Sequence, residues 1–433
     1  MKKVSAREKF DKVILGNSED CVFSTNTEET GVNNNRIVVG GSGSGKTVSI
    51  LEPIILETYH KSLIASVTKR RIVNKYIPLM KKRKYDVWDI DFVHPERGNV
   101  GYDPLNFIKN YQDITFIAKS MVMSNPRKER SNADPYWDDA ATSLLAAIIT
   151  YVLQTMEEPT FADVLEMLDN LKYEEYGGHI RTNYDGRFER IEKKDPSNFA
   201  VVNYKNFTNI PMKTASCVFG TLNASLASVF SPELRKMFRI SKKVDFKHLA
   251  EKKTALFITT SAVNPSLNCF INMFYGHAFK ELFEYGEEQP DGILPVPVEL
   301  AADDFATGCP VPMFDQYISI FREKRISVTI LVQSESQLSS IYGENETTTI
   351  INNCDTYIYM GSNDLCTARN ISQRVNLPLE DVLHMKLGKQ ILFRRGAKPK
   401  IGQRYQIFEN ELYKKVTKEY ENKIAKEKEM RAI

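Results

Sequence analysis

The stretch VVGGSGSGKTVSI, residues 38–50, constrains this chain more than any other. Its centre reads Gly40-Gly41-Ser42-Gly43-Ser44-Gly45-Lys46-Thr47, the spacing G-x-x-x-x-G-K-T. A Gly/Ser-rich run is by itself a turn or a linker. This spacing, though, arises by chance in only about one or two in a hundred chains of this length. The flanks decide between the two. RIVVG ahead of it is a short apolar run ending in glycine, the signal of a buried strand. TVSILEPIILETYH behind it is consistent with a helix kinked at Pro53. A strand, a glycine-rich turn and a helix are what a phosphate-binding loop requires. Glycines let backbone N–H groups turn toward an anion, and the helix N-terminus adds its positive end. Lys46 is then placed to reach β/γ-phosphates and Thr47 to hold Mg²⁺. The cofactors this predicts are ATP and Mg²⁺.

Hydrolysis needs more: a carboxylate at a neighbouring strand end and a polar group to orient water. VELAADDFATG supplies the carboxylates. Asp303 is the candidate Mg²⁺ partner, through water, and Asp304 the candidate to activate the attacking water. Gln333, where ILVQSESQL leaves its strand, is placed to sense the γ-phosphate or position water. Arg322 and Arg325 in FREKRISV are either arginine fingers for a neighbouring subunit's nucleotide or a solvated helix end. Lys69, Arg70 and Arg71 after the second strand, and KKRK at 81–84, are either DNA-phosphate contacts or solvated faces.

Composition narrows the class. With 433 residues the chain is expected to fold as two or three units. Hydrophobic content of 42% and charged content of 26% are those of a globular protein. A net charge of +3 neither demands nor excludes a nucleic-acid partner. The six cysteines include no C-x-x-C pair and the six histidines no H-E-x-x-H, which argues against a zinc site and a disulfide frame. MKKVSAREKFDKVILG lacks an apolar signal segment. SLLAAIITYVLQTM, 143–156, is too short for a membrane span and reads as a buried core helix.

Strand-like runs recur at 36–40, 62–67, 85–91, 254–260, 296–305, 326–334, 355–361 and 390–395. Several are continuously apolar, as in a parallel sheet buried on both faces. The lead-in VFSTNTEETGVNNN has room for one short hairpin. The expected class is α/β: a nucleotide-binding unit of residues 1–112 and 251–409, with a mainly helical insert at 113–250. The middle of that insert, YGGHIRTNYDGRFERIEKKDPSNFAV, reads as a polar loop. A charged helix fraying at its end is expected over 410–433.

One family joins these pieces. NRIVVGGSGSGKT, YDPLNFI, DPYWDDAATSLLAAIITYV, KTALFITTS, ELAADDFA, REKRISVTILVQSESQLSSIYG and IINNCDTYIYMGSND follow one another in this order. From about residue 22 to about 400 the chain resembles the type IV secretion coupling proteins, the VirD4/TraG-like ATPases of conjugation. The resemblance implies a RecA-like P-loop motor domain with an inserted all-alpha domain tied to substrate recognition. It implies a ring, a hexamer, at the cytoplasmic mouth of a secretion channel. The partners implied are a relaxase with single-stranded DNA, or a protein substrate, and the channel proteins.

Three departures qualify it. The family carries an N-terminal membrane anchor, whereas this chain starts almost directly at the motor domain. Unless the sequence is truncated, that implies a cytoplasmic protein, peripheral at the inner face of the membrane, docked by a separate membrane-anchor protein and monomeric or oligomeric when free. The family's second strand ends in an Asp-Pro-Lys-Gly-Glu-like loop, where this chain has SVTKRRI and only Lys69 fits. The family's acid pair is Asp-Glu, where this chain has Asp303-Asp304. Two other readings stay open: a DNA pump of the FtsK/HerA kind, and a nucleotide-binding substrate receptor that hydrolyses little.

Overall fold

In a computed structural model, described over residues 10–123, 136–177, 179–261, 264–305 and 307–431, strands and helices alternate through most of the chain. Residues 1–9 of the lead-in, residues 134–135 of the DPYWDD motif and residue 306 after the acid pair lie outside the described residues. The strands are β1 (Lys12–Ile14), β2 (Val22–Ser24), β3 (Arg36–Val39), β4 (Ser62–Val67), β5 (Asp86–Asp91), β6 (Tyr173–Tyr176), β7 (His179–Thr182), β8 (Thr254–Thr259), β9 (Val298–Ala302), β10 (Ile326–Val332), β11 (Thr356–Tyr359), β12 (Lys389–Arg394) and β13 (Lys400–Gln403). Nine form one sheet in the order β13-β12-β11-β3-β10-β9-β4-β8-β5. The run from β11 to β8 is parallel, and β12 and β13 add an antiparallel edge.

The chain divides into two units: residues 1–90, 245–262 and 278–433, and residues 91–244 and 263–277. In the first, the central strands β3, β4, β8 and β9 are buried on both faces. Leu63, Ala65 and Val67 of β4, Val38 of β3 and Leu331 of β10 pack on the helices that follow β3 and β4. Ile64, Ile37 and Val39, one residue out of phase, are just as buried on the other face. A polar staple crosses the sheet. Glu299 of β9 accepts from Arg36 of β3 (2.7 Å), from Thr329 of β10 (2.7 Å) and from Lys61, which precedes β4. Burial pushes the Glu299 carboxyl up, but Lys61 and Arg36 outweigh it and hold the group at about 2. Losing the carboxylate would leave two buried cations, a cost of about 3–5 kcal/mol.

The helix after the phosphate loop opens with a π turn, Thr47–Leu51, and continues as Glu52–Leu56. Pro53 has no N–H to donate, and the wide turn precedes it in place of the expected kink. Arg83, from the 81–84 cluster, caps this helix by donating to the carbonyls of Leu56 (2.8 Å) and Thr58 (2.9 Å). The C-terminal helix Glu411–Arg431 is anchored at its start, where Tyr413 and Val416 are buried in the core.

The second unit is mainly helical. Its central helix, Tyr136–Thr155, buries Ala141, Leu144, Leu145, Ile148, Ile149 and Val152 at helical spacing. Among the described residues no helix is long and apolar enough to cross a membrane. The segment expected to be a loop holds β7, the helix Asp185–Glu192 and the start of the helix Phe199–Thr208. Phe188 stacks on Tyr204 at 3.8 Å, and the Tyr204 hydroxyl donates to Asp185 over 2.6 Å. Those two contacts order a stretch whose composition is polar. The unit also begins earlier than residue 113, because Phe92 and Tyr102 pack against Phe270 and Phe274.

Candidate functional site

Parallel strands present their carboxyl ends at one edge, and open sheets of this kind bind their ligands there. β3 ends at the phosphate loop, β10 beside it ends at Gln333, and β9 beyond ends at Asp303. The Gly40 N–H donates to Val332 O (3.1 Å) and the Gly41 N–H to Gly361 O (2.8 Å), tying the loop to β10 and to the residues after β11. Gly43 (φ 76°) and Gly45 (φ 92°) hold left-handed conformations that a side chain disfavours. Gly45 O then accepts from Ser49 N at 2.9 Å and starts the helix.

Lys46 is buried and folded onto its own loop, donating to the carbonyls of Gly40 and of Gly41 (3.1 Å). Burial lowers its pKa, while Asp304 and Asp303 pull it back up. The Thr47 hydroxyl donates to Asp303 Oδ2 over 2.7 Å. Burial raises the Asp303 carboxyl; the Thr47 hydroxyl, Lys46 and Lys69 oppose that, and Asp304 adds to it. A hydroxyl and a carboxylate this close are an all-oxygen donor pair, and they fit Mg²⁺, which takes one or two carboxylates together with substrate phosphates. Asp304 follows with φ 50°, a left-handed conformation Asp tolerates better than most residues. Gln333 is exposed, its N–H donating to Gln337 Oε1 at 3.1 Å.

The other candidates lie elsewhere. Arg325 precedes β10, whereas Gln333 follows it, so the two ends are about 25 Å apart along the strand. With Arg322, Lys61 and Lys253 it lines a cleft of ≈ 520 Å³ at the amino-terminal edge of the sheet. Lys69 and Arg71 are exposed after β4. Arg70 is not available in the same way: its guanidinium is paired with both carboxylate oxygens of Asp89. One contact is not foreshadowed by the sequence. Arg404, just past β13, donates to the carbonyl of Ser44 inside the phosphate loop. Its signal is hidden because β13 is a short edge strand of mixed polarity.

Fold and site together define a P-loop protein: a RecA-like α/β unit with the loop at the carboxyl edge, and a mainly helical unit inserted into it. The chain belongs to the family described as type IV secretory system conjugative DNA transfer, whose sequence model matches residues 3–376. Among solved structures it is similar to the coupling protein TrwBdeltaN70 in complex with sulphate (TM-score 0.64, 15% identity, covering 86% of this chain and 85% of that one). The plasmid coupling protein TrwB in complex with ADP and Mg²⁺ matches at a TM-score of 0.65 and 15% identity, over 92% and 91% of the two chains. VirB4 of Thermoanaerobacter pseudethanolicus matches at 0.54 and 11%, over 91% and 96%. No curated protein sequence matches significantly.

Proposed function

We propose that the chain is the coupling ATPase of a conjugative type IV secretion system, recruiting a relaxase–DNA complex or a protein substrate and driving or gating its transfer with ATP. The observation that carries this reading is the Thr47–Asp303 contact of 2.7 Å, which joins the phosphate loop to the acidic strand end. Residues 40–47 hold the phosphates, and Lys46 leaves its loop carbonyls for the β/γ-phosphates. Thr47 and Asp303 would hold Mg²⁺, which would supply charge neutralisation of the phosphates. Asp304 orients and activates the attacking water, and Gln333 contacts the γ-phosphate side. TrwB, similar in fold, is described in complex with ADP and Mg²⁺, which supports both cofactors.

Arg325 acts in trans, since its own strand carries it to the far edge; this requires a ring of subunits, in which a hexamer would place it against a neighbour's nucleotide. The inserted unit reads the substrate. Channel proteins complete the partners and keep the chain at the inner face of the membrane. Family membership and the helical insert favour this reading over a plain DNA pump. Asp304 in the place of a longer acid favours a second reading, a nucleotide-gated receptor with slow turnover.

Mixing two inactive variants tests the motor reading. Lys46→Ala keeps Arg325, and Arg325→Ala keeps the P-loop. Turnover reappearing in the mixture supports sites shared between subunits. A mixture as inactive as its parts counts against them.

A further inference from the structure

Several peptide planes of the phosphate loop are tied by hydrogen bonds. Ser44 N–H donates to Gly41 O at 3.2 Å, and Gly45 O accepts from Ser49 N at 2.9 Å. The plane between them, Ser44–Gly45, is gripped from outside the loop by the Arg404 guanidinium on Ser44 O. A planar trans peptide points its C=O and the following N–H in opposite directions. A cation holding Ser44 O therefore turns the Gly45 N–H to the opposite side of the peptide, free to meet an anion bound by the loop. Without that grip the plane is cheap to flip, because Gly45 accepts either sign of φ.

Arg404 is built for this position. Its own backbone is pinned by Arg404 N to Gly388 O (2.9 Å) and by Asn17 N to Gln403 O (3.1 Å). Its Cζ would stand 2.6 Å from a Cβ at position 45, so the guanidinium fills the space that glycine leaves. It is half-buried, and among the described residues it pairs with no carboxylate. A guanidinium on a carbonyl also polarises the peptide, strengthening the N–H beyond it as a donor. The residue lies past the family-matched stretch 3–376.

We propose that Arg404 is a positioning residue of the nucleotide site: it locks the Ser44–Gly45 peptide so that the Gly45 N–H faces the α/β-phosphates. The inference rests on the nucleotide-binding reading above. Because ADP and ATP share those phosphates, both ligands should feel it equally.

The test is titration calorimetry of the full chain with Mg-ADP and with a non-hydrolysable ATP analogue, beside thermal melts without nucleotide. Arg404→Ala should weaken both ligands about tenfold and by the same factor, and Arg404→Lys should restore part of the loss. The nucleotide-free melting temperature should not move, and kcat at saturating ATP should hold while KM rises. Unchanged affinities in Arg404→Ala overturn the proposal, as does a loss confined to the ATP analogue. If Arg404→Ala melts early, Arg404→Met, similar in length and without a donor, is measured in its place under the same criteria. Parent protein that binds neither ligand, like Lys46→Ala, overturns the nucleotide reading itself. Tight binding by the parent and equally tight binding by Arg404→Ala overturns this inference alone.

Discussion

The hydroxyl of Thr47 donates to Asp303 Oδ2 across 2.7 Å, joining two residues 256 positions apart in sequence. The contact exists because β10 lies between β3 and β9, and all three run parallel, so their carboxyl ends share one edge. It brings a hydroxyl of the phosphate loop and a carboxylate of the neighbouring strand end together.

Asp303→Asn should therefore remove the Mg²⁺ dependence of nucleotide binding. Turnover should fall about a hundredfold, in line with the loss of one electrostatic contact to a reacting phosphate. Burial already raises this carboxyl in the folded chain, so the variant should melt no earlier than the parent without nucleotide. Calorimetry with and without Mg²⁺ and a thermal melt check both halves.

Asp304→Glu lengthens the second acid by one methylene. Turnover should rise several-fold if the shorter side chain limits water activation. The left-handed φ of 50° should cost the variant about 1 kcal/mol of stability, since Glu enters that region less readily than Asp. Steady-state rates at saturating ATP report the first effect and urea melts the second. A fall in turnover with an unchanged fold counts against Asp304 as the activating residue.

The basic cluster after β4 splits by geometry. Lys69→Ala and Arg71→Ala, at exposed positions, should each weaken single-stranded DNA binding and lower its salt slope by about 0.7. Arg70→Ala should leave the salt slope alone and cost stability, because the Arg70–Asp89 ion pair is lost. Filter binding across a salt series separates the two kinds.

Asp103 gives the inserted unit a pH signature. Burial raises its pKa to about 6, against the lowering effect of the Phe161 and Leu105 N–H groups that it accepts from. The folded state then holds a proton that the unfolded state has already released. Its contribution is complete below about pH 4 and is lost as the pH rises through about 6. A displacement of that size is worth about 3 kcal/mol at most. Asp103→Asn should flatten urea midpoints between pH 4 and 6.

Much of this was legible in the sequence. The apolar runs RIVV, SLIASV, TALFIT and ISVTILV became strands because burial on both faces demands continuous hydrophobicity. The phosphate loop and the acids after β9 were readable because their chemistry tolerates few residue types. β13, with only KIGQ to show, was not readable, and neither was Arg404 beyond it. Edge strands need no periodic apolar pattern, and a side chain that reaches a carbonyl 360 positions away leaves no local trace. The Phe188–Tyr204 stack hid for the same reason: two aromatics in a polar stretch order it only once they meet.

The central claim is a nucleotide motor that answers to DNA. Its most direct test is steady-state ATP turnover of the purified chain, alone and with single-stranded DNA, beside Lys46→Ala. Turnover should rise with DNA and vanish in the variant. Tight nucleotide binding by the parent with no turnover under either condition would contradict it, and would leave a nucleotide-gated receptor in its place.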